Sequence, residues 1–176
     1  MNAAPEFQLQ PSLVGETISL RPLKTADFES LYAAASDPLI WEQHLEPLRY
    51  QRPVFEAGFF VGALTSGAAL LVTDNATGKI IGSSRYYDWT PGEREVTIGF
   101  TFLARSHWGG ATNQEMKRLM LCHAFSWAKA VLFYVAKDNW RSRKAMEKIG
   151  GILSHEGRKE SNGVVHDYVC YKIESA

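Results

Sequence analysis

The stretch Ser106 to Ala128, SHWGGATNQEMKRLMLCHAFSWA, sets two adjacent glycines directly before a long amphipathic pattern. The first turn of a helix leaves backbone N–H groups without internal partners and carries about half a positive charge. Gly109, Gly110 and Ala111 keep side chains away from those amides, so an anion such as a phosphate can approach them closely. The same pair also suits a tight strand-to-helix turn that holds no ligand. The strand pattern ahead of it ends near Leu103, which puts the loop at a strand's carboxyl end, where ligands tend to bind. No Gly-x-x-x-x-Gly-Lys run occurs and no Gly-x-Gly-x-x-Gly follows a strand, which disfavours a P-loop and a dinucleotide-binding fold.

The histidines at 44, 107, 123, 155 and 166 form no His-x-x-x-His pair, and Cys122 and Cys170 form no Cys-x-x-Cys, so no metal site is expected. His123 falls on a helical stripe and reads as a core or boundary residue. His107 reads as a solvated loop residue with phosphate as its alternative partner. The two cysteines read as buried thiols in a reducing cytosol.

Positioning the glycine loop requires elements on both sides of it. Residues 1–12 read as a loose arm. Thr17–Arg21 alternates as a strand, and Thr25 or Asp27 can cap a helix running to about Ala35. Pro53 can open a second helix to about Leu64. Ala68–Thr73, Lys79–Asp88 and Arg94–Leu103 form a meander. On the last of these, Val96, Ile98, Phe100 and Phe102 fall on one side and Glu95, Thr97, Gly99 and Thr101 on the other. Met116, Leu119, Met120, His123, Ala124 and Trp127 then recur at helical spacing. Val131–Ala136 is a short strand and Trp140–Ile149 a helix stopped by Gly150-Gly151. Ile152–Glu156 and Val164–Ile173 form a hairpin around Ser161-Asn162-Gly163. The fold class is thus α/β of the mixed α+β kind: about seven strands in a mostly antiparallel mixed sheet, with helices on both faces.

The 176 residues are expected to form a single domain, and 45% hydrophobic with 22% charged residues is a globular composition. Nineteen basic side chains balance nineteen acidic ones, which gives no electrostatic case for nucleic-acid binding. The chain opens with no basic or apolar leader, and no apolar run approaches the roughly 20 residues that span a bilayer. The expected location is the cytoplasm, with no membrane partner.

These elements, in this order, resemble the GNAT family of N-acetyltransferases, in the branch similar to ribosomal-protein N-terminal acetyltransferases. Ser106-His107-Trp108-Gly109-Gly110-Ala111 is similar to the family's Arg/Gln-x-x-Gly-x-Gly/Ala loop, with Ser106 in the leading position and Arg105 one place earlier. Asp138 to Gly151, DNWRSRKAMEKIGG, resembles its Asn-x-x-Ser helix, and Ile18 to Pro38 resembles its first strand and helix. The resemblance implies acetyl-CoA as cosubstrate, no metal, and a sheet splayed between the fourth and fifth strands. The backbone amides of Gly109, Gly110, Ala111, Thr112 and Asn113 would hold the pyrophosphate. The pantetheine would lie along Phe102, Leu103 and Ala104, with Asn139 binding its arm, and Arg105, Trp108 and Arg143 would help at the nucleotide end. Trp41, Phe55, Phe59 and Phe60 lie in a region that shapes the acceptor's mouth or, as ordinary aromatics, the core.

Acetyl transfer to an amine needs a proton acceptor, because an α-amine titrates near pH 7.7–8.0 and a lysine near 10.4. By the resemblance the slot for a carboxylate on the fourth strand holds Thr97, with Glu95 one step back on the same face as the expected relay; its alternative is a surface glutamate. Asp167, in His166-Asp167-Tyr168 on the last strand, is the rival base or an exposed strand carboxylate. Ser142 either donates a proton to the departing thiolate or caps its helix. The expected activity is acetyl-CoA-dependent acetylation of a primary amine, on a protein N-terminus or a small molecule, by a monomer or homodimer. A module that binds acetyl-CoA without turnover is the alternative.

Overall fold

The computed structural model describes residues 6–161 and 163–176. Eight strands form one sheet in the order β1-β2-β3-β4-β5-β6-β8-β7. They are β1 (Leu13–Val14), β2 (Ile18–Pro22), β3 (Ala69–Asp74), β4 (Ile80–Thr90), β5 (Glu95–Leu103), β6 (Ala130–Ala136), β7 (Ile152–Ser161) and β8 (Val164–Glu174). Every pairing is antiparallel except that of β5 with β6. The helices are α1 (Phe28–Ala35), α2 (Arg52–Phe55), α3 (Val61–Thr65), α4 (Thr112–Ala124) and α5 (Trp140–Lys148); a π-helical turn, Glu56–Phe60, joins α2 to α3. The expected second helix is therefore continuous but underwound in its middle, where the turn is π-helical. Asn162, in the expected hairpin turn, lies outside the described residues.

Successive residues of β3 are buried on opposite sides, Leu70 and Val72 in one core and Ala69 and Leu71 in the other. That alternation is what a strand covered on both faces requires. The first core joins β2–β6 and β8 to α4 and α5 through Met116, Met120, Val131 and Met146. The second gathers Leu31, Trp41, Phe55, Phe59 and Phe102 under α1 and the α2–α3 segment. Trp41, Phe55, Phe59 and Phe60 are all buried there.

Three sequence expectations change. From Phe7 onward the N-terminal arm is docked rather than loose. Phe7 is buried with its ring 5.3 Å from Tyr86 and 5.0 Å from Trp89, and Gln8 O meets His123 Nε2 at 2.7 Å. Phe7 and Leu9 alternate with glutamines over too few residues to mark an element, so the pocket that receives Phe7 was not legible in the sequence. Cys122 is exposed, on the outer side of α4, whereas Cys170 is buried. The third change is in β5, whose alternation breaks. Ser83 faces Phe102 and Arg85 faces Gly99, so β5 has one residue more than β4 between these pairs. This is a β-bulge, and Phe100 within it has φ of 50°. Beyond the bulge the faces exchange. Ile98 belongs to the α4-side core, Phe102 to the other, and Phe100 is 43% exposed.

No helix among the described residues is long and apolar enough to cross a membrane. Phe7→Ala is expected to lower the unfolding free energy by about 3 kcal/mol or more, as for other buried Phe truncations. Urea denaturation measures this; a loose arm would leave the midpoint unchanged.

Candidate active site

The bulge has a second consequence. An extra residue bends its strand, and β5 stays paired with β6 over only Glu95–Ala130, Val96–Val131 and Thr97–Leu132. Beyond that, β5 bonds only to β4, and β6 from Phe133 to Ala136 bonds only to β8. The facing edges diverge into a fork whose inner backbone groups have no strand partner. Some groups near its mouth are already used: Ala104 N–H donates to Ile81 O at 2.7 Å, and Leu103 O accepts the Trp108 indole N–H at 2.9 Å.

At the mouth the chain turns through Arg105–His107 and enters α4. Gly109 has φ of +73°, a backbone conformation that glycine takes without strain. Gly109, Gly110 and Ala111 are exposed, and a Cβ added at either glycine would meet nothing within 4 Å. Glu115 N to Ala111 O, at 2.9 Å, is the first bond of α4's ladder, and no side chain caps the amides ahead of it. The cradle is therefore open while its flanks are pinned. Arg105 is ion-paired with Asp37, whose carboxyl this holds below its usual range. His107 Nε2 lies 3.0 Å from Asp74 Oδ2, so it is a braced residue and not a solvated one. The Trp108 ring carries the Arg141 guanidinium at 4.1 Å.

At the start of α5, Asn139 is buried and its Oδ1 accepts the Ser142 amide at 3.1 Å. Asn139 is thus the N-cap, and Ser142 contributes its amide; the cap leaves the Ser142 hydroxyl uncommitted. Arg143 donates to Lys137 O at 3.0 Å and to the Tyr171 hydroxyl at 3.2 Å. Asp167 adjoins this end of β6: its carbonyl accepts the Lys137 amide at 3.0 Å, and its exposed carboxylate meets Arg158 at 3.1 Å. Glu95 is elsewhere. It begins the three-residue ladder at the closed end of the fork, and Lys172 Nζ lies 2.9 Å from its Oε1. Ala130 faces Glu95 and Ala136 faces Tyr168, so about 20 Å of strand separates the two carboxylates' levels. The fold sets the glycine loop, Asn139, Ser142 and Asp167 at the level of the fork's open end, Asp167 on the strand beyond β6, and leaves Glu95 at the other end.

One residue of the fork was missed. Lys117 is 2% exposed, and its Nζ donates to Thr101 Oγ1 on β5 at 2.8 Å and lies 5.4 Å from the Phe133 ring centre on β6. It thus touches both arms beyond their last paired residues. Thr101 in turn meets Ser84 Oγ at 2.8 Å. Lys117 forms no ion pair among the described residues, and burial depresses its ammonium to about 7. The available signal was its place on the helical stripe with Leu121 and Ala124, masked by reading the stripe through Leu119 and His123.

Among the described residues no cluster of three His, Cys, Asp or Glu side chains is placed to hold a metal ion. The sequence model of the acetyltransferase (GNAT) domain matches residues 17–152. No curated protein matches the sequence. Among solved structures, the chain is similar to a GCN5-related N-acetyltransferase from Brucella melitensis, at 20% identity over 97% of this chain and 80% of that one, with a TM-score of 0.83. It is also similar to the self-immunity acetyltransferase MccE, solved with acetyl-CoA and AMP, at 18% identity over 95% and 98% of the two chains and a TM-score of 0.76. A third likeness is to RimJ of Mycobacterium smegmatis, solved with CoA-disulfide, at 19% identity over 90% and 82% and a TM-score of 0.68. At such identities these likenesses are ones of fold.

Between the depressed pKa of Lys117, about 7, and its ordinary 10.5, the unfolded chain holds a proton that the folded chain does not. This residue's contribution to stability therefore rises as pH increases through that window, and its penalty is greatest below it. Lys117→Met is expected to melt higher than wild type near pH 6.5, with the difference shrinking toward pH 9.5. Parallel thermal melts read this; a constant difference would place the charge in a well-solvated site.

Proposed function

Because the chain belongs to the GNAT acetyltransferase family, we propose that it transfers acetyl from acetyl-CoA to a primary amine, on a protein N-terminus or a small molecule. The observation that carries this reading is the open amide cradle set at the mouth of the β5–β6 fork. The residues present fit the group: bare amides and a helix terminus suit a diphosphate, and unpaired strand edges suit an amide-bearing arm. Bound acetyl-CoA supplies an activated acyl group as a thioester.

In this reading the amides of Gly109 to Asn113 hold the diphosphate, and the inner edge of β5 ahead of Leu103 takes the amide arm with Asn139 beside it. Trp108, braced by Arg141, and Arg105, held by Asp37, keep the loop in register. Ser142 Oγ, left free by the cap, holds a proton at the start of α5. Asp167 is the carboxylate near that end, and it accepts the amine's proton through water. Glu95, locked to Lys172 at the closed end, secures the ladder that sets the fork. Direct attack by the neutral amine requires no covalent intermediate on the protein.

A second reading, binding without turnover, draws support from one observation. Both carboxylates are ion-paired, Glu95 with Lys172 and Asp167 with Arg158. An oxygen already held by a cation is less available to the attacking amine or to a water that relays its proton.

Calorimetry with acetyl-CoA, followed by thiol release over a panel of amines, separates the readings. Amine-dependent release supports transfer, binding without release supports the module, and no binding overturns both. Ala111→Asp is expected to weaken acetyl-CoA binding by roughly tenfold or more while leaving stability intact, because a carboxylate is favourable at a free helix N-terminus but repels a diphosphate there.

A further inference from the structure

On the face of β5 turned away from α4, one arginine is buried and a second half-buried, neither ion-paired with a carboxylate among the described residues. Arg85, on β4, is 7% exposed, and its guanidinium lies 4.0 Å from the centre of the Phe100 ring and 5.9 Å from that of Phe59. Arg49, in the segment between α1 and α2, lies 5.4 Å from the same Phe59 ring and 5.2 Å from Trp41. The Nε of each is buried without a hydrogen-bond partner. Neither guanidinium has a carboxylate within ion-pair distance among the described residues.

The surroundings reinforce the positive potential. Burial, and then Arg49, depress Arg85 to about 10. Burial lowers Arg49 as well, opposed by Glu46 as the one carboxylate acting on it. His44, packed edge-on against Trp41 at 5.1 Å, is driven to about 4 by burial and by Arg49 and Arg141, so it is neutral at physiological pH. The Tyr87 hydroxyl beside Arg85 is itself pushed up by burial and stays protonated.

Desolvating an unpaired guanidinium is costly, and cation–π contacts return only part of that cost. A leucine or methionine would fill either position with less strain on the fold. The bulge that opens the fork is also what turns Phe100 over Arg85. Lys117 and α4 cover the other face of β5, whereas on the arginine side Phe100, 43% exposed, brings solvent up to Arg85 at the bulge.

We propose that Arg49 and Arg85 bind an oxyanion, carboxylate or phosphoryl, carried by the same molecule as the acetylated amine. A planar guanidinium fork matches either group in two parallel hydrogen bonds. The acceptor is then an amino acid-like or phosphorylated amine and not a polyamine or aminoglycoside. The word acceptor rests on the acetyl-transfer reading; the anion site itself does not.

Two measurements test this. Thiol release is followed with matched amines: an amino acid and its amide, and a phosphorylated amine and its dephosphorylated form. The charged member is expected to react with a kcat/KM at least about tenfold higher. R85Q and R49Q should shrink that ratio toward one, mainly through KM, and the larger ratio of the two pairs identifies carboxylate or phosphoryl. Separately, inorganic phosphate and acetate are titrated by NMR into the protein without acetyl-CoA. Binding lost in R85Q and R49Q but kept in Ala111→Asp assigns the anion to the arginines and not to the helix cradle. Ratios near one in both pairs, or ratios and titrations untouched by both variants, overturn the proposal. Should no amine release thiol, the acetyl-transfer reading fails while the titration still decides the anion site. If R85Q does not fold, R49Q, at a half-buried position, carries the same comparison.

Discussion

Only three residue pairs join β5 to β6, and the geometry of the site follows from that shortness. A parallel ladder continued to Leu103 would consume the edge groups of both strands and close the sheet. The extra residue at Phe100 prevents this by bending β5 toward β4, where it still has a partner. The unpaired edges then lie at the surface of the fork, where a bound chain can satisfy them. The loop after β5 is carried to the mouth of the fork as well, and α4 begins there with its first amides uncapped. One backbone irregularity thus supplies both a slot and the uncapped helix terminus at its entrance.

The charges around this fork are arranged unusually for a chain with as many acidic as basic side chains. At the surface, carboxylates are matched: Asp37 with Arg105, Glu95 with Lys172, Asp167 with Arg158. Beside the fork, Lys117 on one face and Arg85 on the other are buried, and Arg49 half-buried, with no ion-paired carboxylate among the described residues. Each costs folding free energy, and the two well-packed cores on either side of the sheet offset that cost. Such positions persist where the structure around them is rigid enough to hold them and where a ligand completes them.

Much of the scaffold was legible in the residues. Periods of two and of 3.6 located the meander, the helix after the glycine pair and the final hairpin, because each element buries one face and its apolar spacing records which. The glycine loop was legible for a different reason: bare amides at a helix start are a local property, readable from residue types alone. What misled was the regular continuation of a pattern. Val96, Ile98, Phe100 and Phe102 alternate without fault in the sequence, yet Phe100 is exposed and Phe102 belongs to the opposite core. The bulge between them is set by how β4 and β5 fit across the sheet, which neither strand encodes separately.

The same distinction runs through the site. The sequence by itself determined the kind of elements, their order, the bare helix start and the Asn-x-x-Ser helix, all of which depend on neighbours a few residues apart. The tertiary structure decided which carboxylate is level with the open end of the fork and that Asn139, not Ser142, provides the cap. It also decided that Phe7 is docked and that Lys117, Arg49 and Arg85 are desolvated. Burial and charge pairing are set by residues distant in the chain, and a lysine in a helix looks alike on paper whether its ammonium meets water or the gap between two strands.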